Sequence, residues 1–526
     1  MSRAVGSVGL IATIVILGLG LPCHVALGES LPEIRTPKAP PIPHINGPKV
    51  YGARPGHPFL YRIPCTGTRP IHFSAIGLPP SLKLDEASGI ISGKSPDGPG
   101  EYSVTLEAAN PMGLESRQFK IVVGDKLGLT PQMGWNGWYT LYERPTDSDI
   151  RRAADAMIAS GMAEYGYQFV DIDDGWARKP ASSDATLGDP SRDSDGTILP
   201  NGRFPNMTGL TGYIHSLGLK AGIYSGPGPL TCAGLEASYG HEDSDAHQYS
   251  KWGFDLLKYD WCSYTTVAKG RSLPELQKPY IKMSSSLEKQ ERDIVLNMCQ
   301  YGMGDVWKWG RQVGGTSWRT TDDLGVAKGS TLPGFYSVGF ANAALDAYAG
   351  PGGWNDPDYI LIGTAGDANH SNLAAKPTPL KPEEQYSYMS MWSLMAAPLF
   401  FSGDMTKLDD FTLNILCNSE VIDIDQDSLG RQARVIRTTP REFVLAKPLD
   451  DGSIAIGLFN LSTEPETISM AWTDVERSGT LTIRDVWRHQ NIGAFTNGFT
   501  SQVAAHDVAL VRLIQRGVPP ELPGKP

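Results

Sequence analysis

Residues 254–262 read FDLLKYDWC, an apolar stretch that follows a glycine turn and ends in two charged side chains. Because side chains alternate across a strand, Lys258 and Asp260 share one face, while apolar neighbours share the other. Two charges on one face of an otherwise apolar strand require a partner or a function. The stretch therefore predicts a buried strand with polar chemistry at its carboxyl end.

Seven other segments have the same short, apolar character. In chain order they read QMGWNGW, YQFVDID, LKAGIYS, DIVLNMC, SWRTTDD, GGWNDPD and APLFFSG. Mostly helical sequence lies between them; one helix begins with a capping-box pattern at Thr146 and Asp149 and ends at Gly161. Eight such strands predict a (β/α)8 TIM barrel over residues 127–425.

Two β-rich regions flank the predicted barrel. Residues 49–124 contain short β-prone segments separated by turns and predict an Ig-like β-sandwich. Its stretch 78–110 resembles the immunoglobulin-like modules of secreted bacterial proteins, which are usually spacers. Residues 431–516 are strand-like again and predict a C-terminal antiparallel β-sandwich. The proline-rich residues 29–48 predict a stiff linker.

Residues 1–28 have the pattern of a secretory signal peptide. Arg3 precedes an apolar run over 8–21, and small residues follow at 26–28. The run is short for a membrane span, so we expect no stable span after cleavage and a secreted or periplasmic protein. A retained anchor and a lipidated Cys23 remain open alternatives.

Charge and cysteine content exclude several classes of function. A net charge of −11 over 526 residues argues against a nucleic-acid partner. Six cysteines are too few for a disulfide scaffold, although one or two bridges are compatible with an oxidising compartment. Without a CxxC pair or a histidine cluster, we expect no structural zinc site and no other metal site. The sequence does not indicate an oligomeric state.

Carboxylates gather where the predicted strands end. They are Asp171, Asp173, Asp174, Asp260, Asp322, Asp323, Asp356 and Asp358, and the tryptophans beside them are Trp135, Trp138, Trp176 and Trp354. The carboxyl ends of barrel strands meet at one mouth, where acidic side chains repel one another unless a ligand or counterion satisfies them. Carboxylates accept bonds from hydroxyls and aromatic rings stack on sugar faces, so the pattern predicts a sugar site.

Nine motifs, in order over about residues 128–440, resemble those of glycoside hydrolase family 27, the melibiase-type α-galactosidases. They read TPQMGWNGW, VDIDDGW, GLKAGIYS, TCAG, YGHEDSDA, FDLLKYDWC, SWRTTDD, GGWNDPD and VIDIDQDSLGRQ. The resemblance implies a (β/α)8 barrel with a C-terminal β-sandwich. It also implies a retaining α-galactosidase that needs no cofactor and releases terminal α-D-galactosyl residues from oligosaccharides or polysaccharides.

The resemblance assigns the reaction to two carboxylates. Asp260 matches the family nucleophile, and Asp323 matches the general acid/base, although Asp322 competes for that role. Asp260 would attack the anomeric carbon while Asp323 protonates the leaving oxygen; Asp323 would then deprotonate water, so configuration is retained. A retaining pair places its carboxyl groups roughly 5–5.5 Å apart.

Other family residues imply the sugar contacts. Asp173 and Asp174 match the pair that holds the 4- and 6-hydroxyls, Trp135 matches the pocket wall, and Tyr224 matches a pocket tyrosine.

Two cations complete the implied pocket. Lys258 matches a residue that binds sugar hydroxyls, and its charge favours ionised Asp260. Arg319 matches the arginine near the 2-hydroxyl and the catalytic pair. We expect Asp171, Asp356 and Asp358 to be structural.

The resemblance also implies a disulfide between Cys232 and Cys262 that ties two active-site loops together. Cys65 and Cys417, which lie in different predicted domains, are expected to be buried thiols.

The loop after the fifth strand indicates which sugar fits. Gln300 and Met303 stand where members that accept N-acetylgalactosamine carry small residues, so their bulk favours galactose. The loop departs from the family pattern Cys-Glu-Trp, since it reads Cys-Gln-Tyr at 299–301, and GPGPL at 226–230 is a second departure. Asp173 disfavours the β-L-arabinopyranosidase branch, whose substrate lacks a 6-hydroxymethyl group. Residues 178–207 form a polar insertion that we expect to overhang the site.

Other functions remain open. An α-N-acetylgalactosaminidase or β-L-arabinopyranosidase would share the fold and the catalytic pair. A non-catalytic carbohydrate-binding protein would need neither Asp260 nor Asp323. A metal-dependent sugar isomerase or hydrolase would be sensitive to chelators.

Overall fold

Short strands joined by turns build an N-terminal module. The structure is a computed structural model that describes residues 1, 31–324, 332–366 and 374–515. The strands of the module are β1 (His44–Ile45), β2 (Val50–Ala53), β3 (Pro58–Arg62), β4 (Cys65–Thr66), β5 (His72–Ile76), β6 (Leu82–Asp85), β7 (Ile90–Lys94), β8 (Gly100–Asn110) and β9 (Gly113–Val123). Sheet β2-β9-β8-β5 and sheet β3-β7-β6 share one apolar core, in which Tyr61 stacks on Phe119 with ring centroids 4.7 Å apart. The module is the predicted Ig-like sandwich.

Parallel strands form the central barrel. They are β10 (Met133–Asn136), β11 (Phe169–Asp171), β12 (Lys220–Ser225), β13 (Leu256–Asp260), β14 (Val295–Cys299), β15 (Ser317–Arg319), β16 (Trp354–Asp356) and, after the hairpin of β17 (Thr364–Ala365) and β18 (Lys376–Pro377), β19 (Leu399–Phe401). The order is β16-β15-β14-β13-β12-β11-β10-β19. A parallel bridge between Ile360, just past β16, and Phe401 joins the two ends. The predicted (β/α)8 barrel is thereby confirmed.

α-Helices lie between most of the barrel strands and after the last one. They are α1 (Trp138–Leu141), α2 (Asp147–Ala159), α3 (Met207–Ser216), α4 (Glu242–Trp252), α5 (Leu273–Glu288), α6 (Phe335–Ala343), α7 (Pro382–Leu394), α8 (Asp410–Leu416) and α9 (Ser419–Asp425). Helix α2 has the predicted capping box, because the Thr146 side chain accepts from the Asp149 N–H and Asp149 accepts from the Thr146 N–H. Gly161, with φ of +82°, turns the chain after it. No helix within the described ranges combines the length and apolarity needed to cross a membrane.

Antiparallel strands build the C-terminal domain. They are β20 (Arg434–Thr438), β21 (Glu442–Pro448), β22 (Ile454–Asn460), β23 (Glu466–Ala471), β24 (Thr480–Asp485), β25 (Gln490–Thr496), β26 (Gly498–Val503) and β27 (Val508–Ile514). The sheet β20-β21-β22-β27-β24-β25 and the pair β23-β26 enclose one apolar core. The predicted C-terminal β-sandwich is therefore present.

The N-terminal module docks at the amino ends of the barrel strands. The Arg54 N–H donates to Asp293 at 3.0 Å, and the His57 ring lies 2.8 Å from the same carboxylate. Lys220, the first residue of β12, places its ammonium group 5.2 Å from the ring centroid of Tyr51. These contacts lie at the end of the barrel opposite the carboxyl ends of its strands.

The segment predicted to be a linker is bound to the folded body. The Arg35 guanidinium donates to Asp507 at 2.9 and 2.6 Å and lies 4.0 Å from the ring centroid of Tyr386. The Thr36 N–H donates to Asn414 at 2.8 Å. Side chains of the barrel helices and of the C-terminal domain thus hold residues 35–36. The predicted signal peptide and Cys23 lie outside the described residues.

Arg192 anchors the insertion after β11. Its guanidinium donates to Glu236 at 2.6 Å and to Asp245 at 2.7 and 2.9 Å. The Asp245 side chain is 0% exposed, so its charge depends on this partner.

Substituting Arg192 with Ala should lower the Tm by about 5–15 °C, because removing one partner of a buried ion pair costs about 3–5 kcal/mol. The control is Arg434→Ala, whose partner Glu476 is 3.6 Å away and 81% exposed. The control should shift the Tm by less than about 2 °C. Equal shifts in a thermal melt would contradict the anchoring role of Arg192.

Candidate active site

A cavity of about 550 Å³ opens at the carboxyl ends of the barrel strands. Its described lining is Trp138, Tyr139, Tyr142, Glu143, Asp173, Lys179, Tyr224, Cys232, Ala233, Lys258, Asp260, Tyr301, Arg319, Asp323, Asp358 and Tyr359. These residues lie on or just after seven consecutive strands, β10 to β16. Lys179 comes from the insertion over 178–207, which therefore reaches the site.

Two phenols hold Asp260. Tyr224 on β12 donates to Oδ2 at 3.1 Å, and Tyr301, two residues after β14, donates to Oδ1 at 2.7 Å. Asp260 and Lys258 both face the cavity, while Tyr259 between them is fully buried. The alternation expected for β13 is therefore present.

Lys258 forms its ion pair with Asp173. The ammonium group lies 2.8 Å from Asp173 Oδ2, an oxygen that also accepts from Asn136 at 2.8 Å and from the Tyr359 hydroxyl at 3.2 Å. Lys258 acts on Asp260 through space, where its charge favours the carboxylate.

Arg319 joins the other two cavity aspartates. Its Nη2 lies 3.1 Å from Asp323 Oδ1 and 3.1 Å from Asp358 Oδ2. The Asp323 side chain is 39% exposed, whereas that of Asp358 is 1% exposed. Asp322 is exposed and is not part of the cavity lining. Asp323 is thus the member of the Asp-Asp pair in a position to meet both substrate and solvent.

Burial raises the pKa of two cavity carboxyls, those of Asp260 and Asp358. It raises the pKa of Asp260, opposed by the charge of Lys258 and the hydrogen bond from Tyr301. Burial likewise raises the pKa of Asp358 to about 6, opposed by the charge of Arg319. A nucleophile must be ionised. Lys258 and Tyr301 favour the ionised form of Asp260 and so extend the pH range in which it can attack.

Two of the residues predicted to contact the sugar, Trp135 and Asp174, lie outside the cavity lining. Trp135 on β10 is buried, and its indole N–H donates to the Gly403 carbonyl at 2.8 Å. Trp138, three residues on, forms the cavity wall in its place. Asp174 is buried outside the lining and accepts from the Ala233 N–H at 2.8 Å. Burial also raises the pKa of Asp174 to about 7.

The loop after β14 presents a different residue from those predicted. Gln300 is buried, and its amide donates to the Met303 carbonyl at 3.2 Å. Neither residue lines the cavity; Tyr301, between them in sequence, does. The unusual triplet Cys-Gln-Tyr at 299–301 was a signal that this loop differs from the family pattern.

Of the three carboxylates expected to be structural, Asp171 and Asp356 lie outside the cavity lining and Asp358 lies within it. Asp171 is buried, which raises its pKa well above the ordinary value, and Asp356 accepts from Asn297 at 2.8 Å. Asp358, expected to be structural, instead lines the cavity. Tyr359 was not among the predicted site residues, although it follows directly on this acidic strand end.

The predicted disulfide Cys232–Cys262 is present, with Cα atoms 5.0 Å apart. It joins the loop after β12 to the end of β13. Gly226 and Gly228 permit this approach, because a Cβ at either position would come within 2.6 Å of residues 260–263. Cys65, Cys299 and Cys417 are buried free thiols.

One cluster of potential metal ligands occurs among the described residues. It consists of Cys232, Asp260 and Cys262. Its sulfurs are joined in the disulfide, so they do not offer the thiolates that zinc binds.

Comparisons with known proteins agree with this architecture. The family model described as "Alpha galactosidase A" matches residues 130–427, more than half of the chain. The chain belongs to the α-galactosidase (melibiase) family. A model of the α-galactosidase C-terminal β-sandwich matches residues 443–513, and an Ig-domain model matches 43–124. Membership places the chain among the glycoside hydrolases.

Individual family members are similar to this chain over most of their own length. A "Probable alpha-galactosidase" of Dictyostelium discoideum is 38% identical over 71% of this chain and 89% of its own. An α-galactosidase of Cyamopsis tetragonoloba is 33% identical over 78% and 93%. A solved structure from Bacteroides fragilis, assigned to the α-galactosidases/melibiases, has a TM-score of 0.83 at 36% identity and covers 91% of this chain and 99% of its own.

Alkylation of the denatured protein before reduction should modify Cys65, Cys299 and Cys417 and leave Cys232 and Cys262 unmodified, because only the last two are bonded. Peptide mass spectrometry identifies the modified sites, and reduction before alkylation is the control in which all five of these cysteines react. Modification of Cys232 before reduction would contradict the disulfide.

Replacing both bonded cysteines with Ser should lower the free energy of unfolding by about 3–4 kcal/mol.

Proposed function

We propose that the chain is a retaining α-galactosidase that hydrolyses terminal α-D-galactosyl residues of oligosaccharides or polysaccharides. The observation that carries this proposal is that Asp260 and Asp323 line one cavity, together with Lys258 and Asp173, in a chain of the α-galactosidase family. A binding protein would not need both carboxylates at the same cavity.

The proposed reaction proceeds in two displacements. Asp260 attacks the anomeric carbon, and the bond to the leaving oxygen breaks as Asp323 gives that oxygen its proton. Asp323 then takes a proton from water, and the water oxygen displaces Asp260 from the sugar. The partial exposure of Asp323 supports this assignment, since its carboxyl must exchange protons with solvent and reach the leaving group.

The sugar contacts are proposed in part on new residues. Asp173 and Lys258 present a carboxylate and an ammonium group to the hydroxyls, and Trp138 supplies the aromatic wall in place of Trp135. Asp174 does not line the cavity. It would affect the 4- and 6-hydroxyls indirectly, by holding Ala233 in the cavity wall. Of the loop residues 300–303, Tyr301 lines the cavity, so the proposed preference for galactose over its 2-acetamido relative rests on the bulk of Tyr301.

We further propose that the enzyme acts outside the cytoplasm, in a secreted or periplasmic location. The signal-like pattern over residues 1–28 and the Cys232–Cys262 disulfide support this location, because disulfides persist in oxidising compartments.

The catalytic pair is tested by Asp260→Ala and Asp323→Ala, with Asp322→Ala as the matched control. Asp260→Ala should lower kcat by more than about a thousandfold. Asp323→Ala should lower kcat/KM by about 10²–10⁴-fold for an oligosaccharide and much less for a 4-nitrophenyl galactoside, whose leaving group needs little protonation. The control should retain activity within about twofold.

Azide separates the two roles by stereochemistry. With Asp323→Ala, azide should attack the covalent intermediate and give the α-galactosyl azide. With Asp260→Ala, azide should replace the missing nucleophile and give the β-anomer. NMR of the products identifies the anomer. The opposite pattern would exchange the roles of nucleophile and general acid/base between Asp260 and Asp323. Full activity of Asp260→Ala would refute both roles.

The substrate is tested by comparing 4-nitrophenyl α-galactoside with the corresponding α-N-acetylgalactosaminide and β-L-arabinopyranoside, with and without EDTA. We expect the galactoside to have the highest kcat/KM by about tenfold or more, unaffected by chelator. A preference for another glycoside would refute the proposed sugar specificity. Loss of activity in EDTA would favour a metal-dependent mechanism, and no turnover would favour a binding protein.

A further inference from the structure

Tyr301 gives the proposed nucleophile a second hydrogen-bond donor. Its bond to Asp260 Oδ1, at 2.7 Å, is shorter than the bond of 3.1 Å from Tyr224 to Oδ2. We propose that Tyr301 is a positioning residue whose phenol stabilises the Asp260 carboxylate as it re-forms during hydrolysis of the galactosyl-enzyme intermediate. The inference rests on the proposed function and deepens it.

The backbone directs this phenol into the site. Tyr301 has φ of +63°, a left-handed conformation that costs energy for a side chain other than glycine. The turn is closed by the Gln300 amide on the Met303 carbonyl and by the Gly302 N–H on the Arg319 carbonyl at 3.2 Å. A strained conformation held at both sides fixes the direction of the side chain. The family pattern has Trp at this position, so the phenol is a departure.

The charge on Asp260 changes in opposite directions in the two steps. In the first step a carboxylate oxygen bonds to the anomeric carbon, and the negative charge is consumed. In the second step a water oxygen bonds to that carbon, the ester bond breaks, and its electron pair returns to Asp260 while Asp323 takes the proton. A donor on Asp260 therefore assists the second step and, because it also stabilises the carboxylate before attack, does not assist the first.

Neutral donors contact Asp260 directly, and charged groups surround it. The titratable and charged groups that face it are Tyr224, Lys258, Tyr301, Asp323, Asp173, Cys299 and Tyr280. Lys258 favours the ionised carboxylate, and Asp323 and Asp173 oppose it. Removing the Tyr301 hydroxyl leaves these charges in place, so its effect on ionisation can be isolated.

The test is Tyr301→Phe, which removes only the hydroxyl, assayed on an aryl galactoside with an activated leaving group. We expect kcat to fall about 3- to 10-fold with KM falling in proportion, so that kcat/KM changes less than about threefold. A pre-steady-state burst should appear as the intermediate accumulates. The control Tyr213→Phe removes a comparable phenol–carboxylate bond, to Asp155 on the outer helices, and should behave as wild type.

A second measurement does not require turnover. Water-soluble carbodiimide modifies the protonated carboxyl, and peptide mass spectrometry gives the labelling midpoint of Asp260 against pH. The labelling midpoint should rise by about one pH unit in Tyr301→Phe, because loss of a donor disfavours the carboxylate. The acidic limb of the pH profile of kcat/KM should move to higher pH by the same amount. Failure of wild type to hydrolyse galactosides would refute the proposed function, whereas an unchanged midpoint would overturn the role of Tyr301.

Two kinetic outcomes would also overturn it. Equal losses of kcat and kcat/KM with an unmoved acidic limb would indicate a structural or sugar-binding role. Wild-type kinetics in Tyr301→Phe would indicate no role. If Tyr301→Phe does not fold, Tyr301→Leu also lacks a donor and should show the same raised midpoint.

Discussion

Four aspartates face one cavity, and keeping them there is the constraint on which the rest of the site depends. They are Asp173, Asp260, Asp323 and Asp358. Two cations offset this charge, half-buried Lys258 and buried Arg319. Each has specific partners: Lys258 binds Asp173, while Arg319 bridges Asp323 and Asp358. Asp260 is left with phenol donors, which hold the carboxylate without neutralising it. A barrel suits this arrangement, because side chains from many strand ends converge while the strands remain in one continuous sheet.

Features governed by local rules could be predicted from the sequence. Alternation along β13 places Lys258 and Asp260 on one face, and the Thr146–Asp149 capping box begins α2 as expected. The eight strands were identifiable because each is a short apolar run ending in polar or acidic residues. The convergence of Asp260 with Asp323 followed from the rule that barrel strand ends meet at one mouth.

Features set by turns and by distant contacts could not be predicted. Trp135 and Trp138 lie three residues apart where β10 passes into α1, and the point at which the strand ends decides which ring reaches the cavity. In the loop after β14, the positive φ of Tyr301 turns that side chain inward in preference to its neighbours. Proline content predicted a linker, but Asp507, far along the chain, binds Arg35 and so could not be inferred locally.

The docking of residues 35–36 has a consequence for how the molecule is made. The partner of Arg35, Asp507, directly precedes β27 and lies 472 residues later in the sequence. The N-terminal module also has contacts to Asp293 and, through Lys49, to Asp450. During vectorial synthesis or export, the module can fold early, but residues 35–36 cannot form their contacts until Asp507 has emerged. The segment at 35–36 is therefore attached only after the barrel and most of the C-terminal domain have been made.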